Sequence, residues 1–232
     1  MPDIDGAHLE VASRTDRGVS ARANVLALTS PLPGPALLRA LNGIAPEIYF
    51  TAAAPAPFGS HPRHARRRWY RYFEPQEDHD LTRWQEGAQV LAGRIDVRSF
   101  GRDLSSRGPV WRTIDEVTVR RSRSWLIVDL RAPSFVWGMV RRIIAALRAL
   151  DQGTLTVAAL SDAVQGRRRL ALPLAEPEFL VLWRVDTGRR WMVRAVRPGR
   201  RQLAYFGDQQ RLATTRARIL PEHWPARPDP GP

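Results

Sequence analysis

Between Gly138 and Leu150 the sequence sets Met139, Val140, Ile143, Ile144 and Leu147 on one face of a helix, with Arg141, Arg142 and Arg148 off that stripe. A helix of this kind holds only when its apolar face is covered, so the rest of the chain must supply the cover. Strand-like segments are the candidates. Trp125–Arg131 puts Leu126, Val128 and Leu130 on one face, Ile114–Arg121 precedes it, and Leu180–Val185 reads as a late, mostly buried strand. Trp69–Phe73 is rich in aromatics and is ended by Pro75. Near the start, His8–Ala12 alternates like a half-buried strand, with Ala23–Leu28 as its expected neighbour. Shorter helices are expected from Pro35 through Leu41, from a cap at Asp80 to Gly93, and from a cap at Thr156 through Val164. Strands and helices interleave without a regular βαβ rhythm, which predicts an α+β fold with a largely antiparallel sheet. From Asp186 onward Arg and Pro dominate, and residues 225–232 read as a frayed tail.

Charge narrows the choice of partner. The 232 residues carry a formal net charge of +13, and because lysine is absent all 36 basic residues are arginine. A solvated basic surface accounts for any one of them, but an excess this large points to a polyanion, since arginine neutralises phosphates and stacks on unpaired bases. Composition does not separate DNA from RNA. The chain has no cysteine, which excludes disulfides, thiol catalysis and cysteine-ligated zinc and agrees with a cytoplasmic setting. No apolar run approaches the roughly 20 residues that cross a bilayer. The start, Met1–Asp5, has neither the basic nor the apolar region of a signal peptide. Phosphate-loop, dinucleotide-fingerprint, zincin and nucleophile-elbow motifs are absent, and the five histidines lack zinc spacing. Cofactor chemistry therefore has no local support, and none is expected.

The loop Ser13–Val19 is the most chemical segment. Asp16 lies between Arg14 and Arg17 and just before Gly18, a carboxylate kept charged by cationic neighbours. By pattern alone, a solvated Asx-type turn is the favoured reading.

Seven segments in order alter that balance. Ser13-Arg14-Thr15-Asp16-Arg17-Gly18-Val19-Ser20-Ala21 resembles the G/S-R-T-D-x-G-V-x-A signature of the tRNA pseudouridine synthase A family. Leu41-Asn42 with Pro46-Glu47-Ile48 resembles its L-N-x-x-L-P-x-D-I segment, and Phe58, His61 and Arg63 its F-H-A-R stretch. Trp69–Tyr72 is similar to its K-x-Y-R-Y strand, and Leu91–Phe100 to its L-x-G-x-H-D-F-x-x-F. Phe135, Met139-Val140-Arg141 and Ile143 resemble its F-x-x-x-M-V-R-x-I helix, and Glu178-Phe179-Leu180 stands where the family has G-L before a late strand. Ser13 and Arg17 match archaeal and eukaryotic members better than the bacterial G-R-T-D-A-G form.

The resemblance implies the pseudouridine synthase fold, two ferredoxin-like halves with a joined, mostly antiparallel sheet. It divides the chain into an N-terminal catalytic half at 1–75, a C-terminal half at 76–187 and an Arg/Pro-rich extension at 188–232. It also implies a first half lacking the family's opening strand and helix. The implied reaction isomerises uridine to pseudouridine in the tRNA anticodon stem-loop, at nucleotides 38 to 40: the base leaves C1′, turns, and rejoins through C5. Asp16 would open the glycosidic bond, by attack on the sugar or by assisting glycal formation. Arg141 would pair with Asp16 and keep it ionised and aimed, and Tyr70 would lie against the uracil and take the C5 proton. Leu180 would wall the pocket, which Phe179 would narrow. Arg14 would fill the space left by the flipped base, Arg63, Arg66, Arg67 and Arg68 would grip phosphates, and Arg17 would also bind the substrate. The implied partners are tRNA and a second copy of the chain, with no membrane and no small-molecule cofactor. The alternative is a non-catalytic tRNA- or RNA-binding protein that keeps the scaffold. An unrelated basic module, with no preference for tRNA, is the third reading.

Overall fold

A computed structural model describes residues 9–219 apart from 58, 76–77, 103, 105–107, 190–192 and 195–197. His8, Phe58 and the expected tail at 225–232 lie outside the described residues. In chain order the strands are β1 (Glu10–Val11), β2 (Ser20–Ala21), β3 (Leu26–Ala27), β4 (Ala52–Ala53), β5 (Arg67–Pro75) and β6 (Gly93–Asp96). They continue as β7 (Trp111–Ile114), β8 (Glu116–Ser122), β9 (Trp125–Ala132), β10 (Leu180–Asp186) and β11 (Val193–Arg194). The α-helices are α1 (Gly34–Ile44), α2 (Leu81–Leu91), α3 (Met139–Asp151), α4 (Val157–Val164) and α5 (Arg200–Ile219). Contacts group the chain into two units, residues 1–28 with 59–188 and residues 29–58 with 189–232.

The larger unit is built on a five-stranded sheet of order β2-β10-β5-β9-β8, antiparallel except where β2 runs parallel to β10. This is the α+β, mostly antiparallel architecture expected from the sequence. β5 sits at its centre because its alternation serves both faces. Arg68, Tyr70, Tyr72 and Glu74 are buried on one face, while Trp69, Arg71 and Phe73 stand half-buried on the other. The apolar stripe of α3 finds its cover here, with Ile143, Ile144 and Leu147 fully buried in one cluster with Leu126, Val128 and Leu130 of β9. Each such side chain contributes about 1.5–3 kcal/mol. α2 packs on α3, α4 and β8 and adds Trp84 and Leu91 to the same core.

Capping follows the sequence closely. The Asp80 carboxylate accepts from the Thr82 and Arg83 amides, and the Thr156 hydroxyl accepts from the Ala159 amide. One expectation needs correcting, because the strand read over 114–121 is interrupted at Asp115. There the amide donates to the Arg131 carbonyl, and residues 111–114 turn away to pair with β6.

The opposite sheet face carries a ladder of rings and cations. The Arg71 guanidinium lies 4.0 Å from the Trp183 ring centre, and Arg131 lies 4.2 Å from that of Trp69. Arg71 also pairs with Asp129, directly across on β9, at 2.7 Å.

The smaller unit contains α1, the β4–β11 pair and α5. Asn42 accepts from the Phe50 amide at 2.8 Å and donates to the Phe50 carbonyl at 3.1 Å. Within the same unit the fully buried Gln202 amide donates to Asn42 and to the Ile48 carbonyl. The α5 helix has no counterpart in the sequence reading of the Arg- and Pro-rich stretch.

Candidate active site

The loop that bears Asp16 is tied down at both ends. The Ala12 amide donates to the Val25 carbonyl and the Asn24 side chain donates to the Ser13 carbonyl, which fixes the loop's entry. Its exit is fixed where the Arg22 amide donates to the Leu182 carbonyl, beside the short β2–β10 pairing. A turn closes between, with the Val19 amide donating to the Asp16 carbonyl. Gly18 takes φ +90° there, and a side chain at that position would collide with Pro177.

Arg141 reaches this loop from the first turn of α3. Its Nη1 donates to Asp16 Oδ2 at 3.1 Å, while its Nε donates to the Ala175 carbonyl at 2.5 Å. The two side chains of the ion pair are 12% and 23% exposed, so a partly dry pair faces an open space. That space is a cleft of about 420 Å³ lined by residues 11–16, Val19, Arg63, Arg68, Tyr70, residues 134–141 and Leu180.

Of the residues singled out in the sequence, the cleft brings together Asp16, Arg141, Tyr70, Leu180, Arg14, Arg63 and Arg68. Arg17, Arg66 and Arg67 do not line it. Arg67 pairs with Asp115 at 3.0 Å, and the Arg66 side chain lies against Gly188. Arg14 and Arg63 are exposed and have no side-chain partner among the described residues.

Arg68 corrects its expected role. It is 7% exposed, and its guanidinium donates to Ser13 Oγ and to the carbonyls of Ala12, Arg63, Ala65 and Pro133. With its donors spent on the protein, it ties the Asp16 loop to β5 and to the segment after β9 rather than gripping a phosphate. The alternation of β5 could have shown this, since Arg68 shares parity with Tyr70 and Tyr72.

Tyr70 is buried and meets the Phe135 ring edge-on, with centroids 5.2 Å apart. Burial pushes its phenol above the ordinary 10.0; a Ser13 hydrogen bond and the Arg68 charge pull it down, and Asp16 pushes it up. Stacking on a base suits such a ring, whereas taking a proton through a phenolate does not. Phe179 also departs from expectation. It packs on Tyr72 and Trp125 at 6.2 and 6.0 Å and does not line the cleft.

Two features were not foreseen. Trp137, 46% exposed, lines the cleft two residues before Met139. One heptad beyond Arg141, Arg148 pairs with the buried Glu74 at 2.8 Å and with Glu176 at 2.6 Å, and donates to the Tyr72 hydroxyl at 3.1 Å. The heptad spacing of two arginines beside one apolar stripe was the available signal. Among the described residues, no cluster of three or more His, Asp or Glu could hold a metal ion, and no helix is long and apolar enough to cross a membrane.

An aspartate held by arginine in a partly dry cleft presents a fixed carboxylate to whatever enters that space. A family profile described as tRNA pseudouridine synthase matches residues 88–187. The tRNA pseudouridine synthase A of Thermococcus sibiricus is 36% identical over 186 residues, covering 80% of this chain and 70% of that protein. Those of Pyrococcus furiosus and Methanosphaerula palustris are each 32% identical, over 78% and 92% of this chain and 68% and 75% of their own lengths. The chain belongs to the tRNA pseudouridine synthase A family, a family of isomerases.

Proposed function

We propose that this chain isomerises uridine to pseudouridine in the anticodon stem-loop of tRNA, at nucleotides 38 to 40, with Asp16 as the group that opens the glycosidic bond. The observation that carries the reading is the Asp16–Arg141 pair in the cleft, 3.1 Å apart, with Tyr70 lining the same space. Arg141 is anchored at Nε by the Ala175 carbonyl, so its Nη1 presents the Asp16 carboxylate in one orientation. Tyr70 and Leu180 offer a flat ring and an aliphatic wall to the uracil. A uridine in a stem must leave the stack to reach Asp16, and the exposed Arg14 on the cleft wall is suited to fill the vacated place. When the base is released from C1′, turned and rejoined at C5, the C5 proton passes to water and N1 takes up a proton, so that the product is an isomer of the substrate. The reading carries with it a cytoplasmic homodimer whose RNA spans both subunits, as the family resemblance implies.

Tritium release from unmodified tRNA labelled with [5-³H]uridine tests it. The parent releases tritium, and Asp16→Ala lowers the rate by at least about 10³-fold while still binding tRNA. A parent that binds tRNA and releases nothing, or an Asp16→Ala variant that keeps pace with it, overturns the assignment. Sequencing the pseudouridine positions in the product tests the nucleotide choice.

A further inference from the structure

Among the described residues, Trp137 is the one large ring on the cleft wall that is not used to fill the core. Trp84 of α2, by contrast, is fully buried. Trp137 keeps 46% of its surface open although it lines the same cleft as Asp16 and Arg141. It is also held in place. Its carbonyl accepts from the Arg102 amide at 3.3 Å, and the next residue, Gly138, takes φ +75° to start α3. That φ is one a residue with a side chain rarely adopts, so the turn between Trp137 and α3 calls for glycine. The Arg102 guanidinium lies 4.7 Å from the Trp137 ring centre, and that of Arg142 lies 5.7 Å from it. An indole beside two guanidinium groups joins a flat apolar face to positive charge. A nucleobase on its phosphodiester backbone complements that combination, and an apolar peptide does not.

We propose that Trp137, with Arg102 over it, is a stacking platform for an unpaired base of the RNA next to the uridine that enters the cleft. This rests on the tRNA-modifying reading above. A uridine drawn out of a stem leaves its neighbours unstacked, and an aromatic face at the cleft mouth replaces the stacking they lose. Trp137 acts in binding, apart from the chemistry at Asp16.

The test is the dissociation constant for unmodified tRNA and for a short single-stranded oligouridylate, measured on the parent, Trp137→Ala and Trp137→Phe. Trp137→Ala is expected to weaken both by roughly 5- to 150-fold, the range for losing one base–aromatic stack. Trp137→Phe keeps a ring and is expected to stay within about five-fold of the parent, inside the loss of one stack. Because a stack is not a phosphate contact, the slope of log Kd against log salt stays the same in all three. Indole fluorescence gives an independent reading, since the RNA-induced quenching of the parent exceeds that of Trp137→Phe if a base lands on this ring.

Equal affinity of Trp137→Ala and parent, or equal quenching of parent and Trp137→Phe, overturns the platform. So does a Trp137→Ala loss that comes with a shallower salt slope, or a change in self-association without a change in RNA affinity. If the parent releases no tritium but Trp137→Ala binds RNA more weakly, the platform stands and the catalytic reading falls. If the parent turns over and Trp137→Ala binds as tightly, the reverse holds.

Discussion

At the scale of single residues, Tyr70 lets geometry and ionisation be checked together. Burial, followed by the balance of Ser13, Arg68 and Asp16, leaves its phenol above 10.0 in the fold. A group whose folded pKa exceeds its unfolded value stabilises the fold fully below the unfolded value, near 10, and loses that contribution as pH rises through the folded one. Alkaline titration of tyrosinate absorbance, taken as parent minus Tyr70→Phe, should therefore show a midpoint above 10. A midpoint at or below 10 would mean that the ring is more open than its 8% exposure indicates. The same neutrality has a catalytic consequence. Tyr70→Phe keeps the stacking face and should lower tritium release by less than about ten-fold, well short of the roughly 10²–10⁴-fold loss that follows removal of a general base. Arg68 makes a related point about reading arginines. In the run Arg66-Arg67-Arg68 the three look alike as a basic cluster, yet Arg66 lies before β5, Arg67 faces outward from it, and Arg68 turns inward, where burial lowers its pKa below the ordinary arginine value.

At the scale of elements, α3 is fastened to β5 by charge as well as by its apolar stripe. Glu74 is 5% exposed, and burial pushes its carboxyl above the ordinary 4.5 despite the Arg148 guanidinium beside it. Removing Arg148 alone leaves that carboxylate buried without its main partner, which costs about 3–5 kcal/mol. Arg148→Met should lower stability by that much in urea unfolding, and Glu74→Gln combined with Arg148→Met should recover much of it. If the double variant is no more stable than the single one, Arg148 contributes through packing, not through the pair. The legibility of the fold divides along the same line. The α3 stripe, the Asp80 and Thr156 caps and the β5 and β9 strands were legible because local periodicity and capping chemistry determine them. The break at Asp115 was not, since it depends on the β6–β7 pairing and on a hydrogen bond to Arg131, contacts distant in sequence. Asp16 and Arg141 lie 125 positions apart. No spacing rule joins them, and only the ordered family segments put them in one site. Trp137 escaped notice because an exposed tryptophan and a core tryptophan look the same in a sequence until burial separates them.

At the scale of the whole molecule, a net charge of +13 draws any polyanion, so affinity alone does not show where RNA lies. The salt dependence of individual arginines does. Arg14 and Arg63 are exposed on the cleft wall, with no side-chain partner among the described residues. Arg131 pairs with Glu116 at 2.7 Å and stacks on Trp69, and its register opposite Trp69 puts it on the sheet face away from Tyr70. Each phosphate contact adds about 0.7–0.9 to the slope of log affinity against log salt. Arg14→Gln and Arg63→Gln should each flatten that slope by this amount with tRNA, and Arg131→Gln should leave it unchanged, although all three remove one positive charge. Filter binding over a salt series measures it. Equal flattening by all three would mean that the charge acts as a diffuse cloud around the protein. Flattening by the cleft pair alone would place the RNA backbone along the walls of the Asp16 cleft, where a flipped uridine could be handed from the stem to the carboxylate.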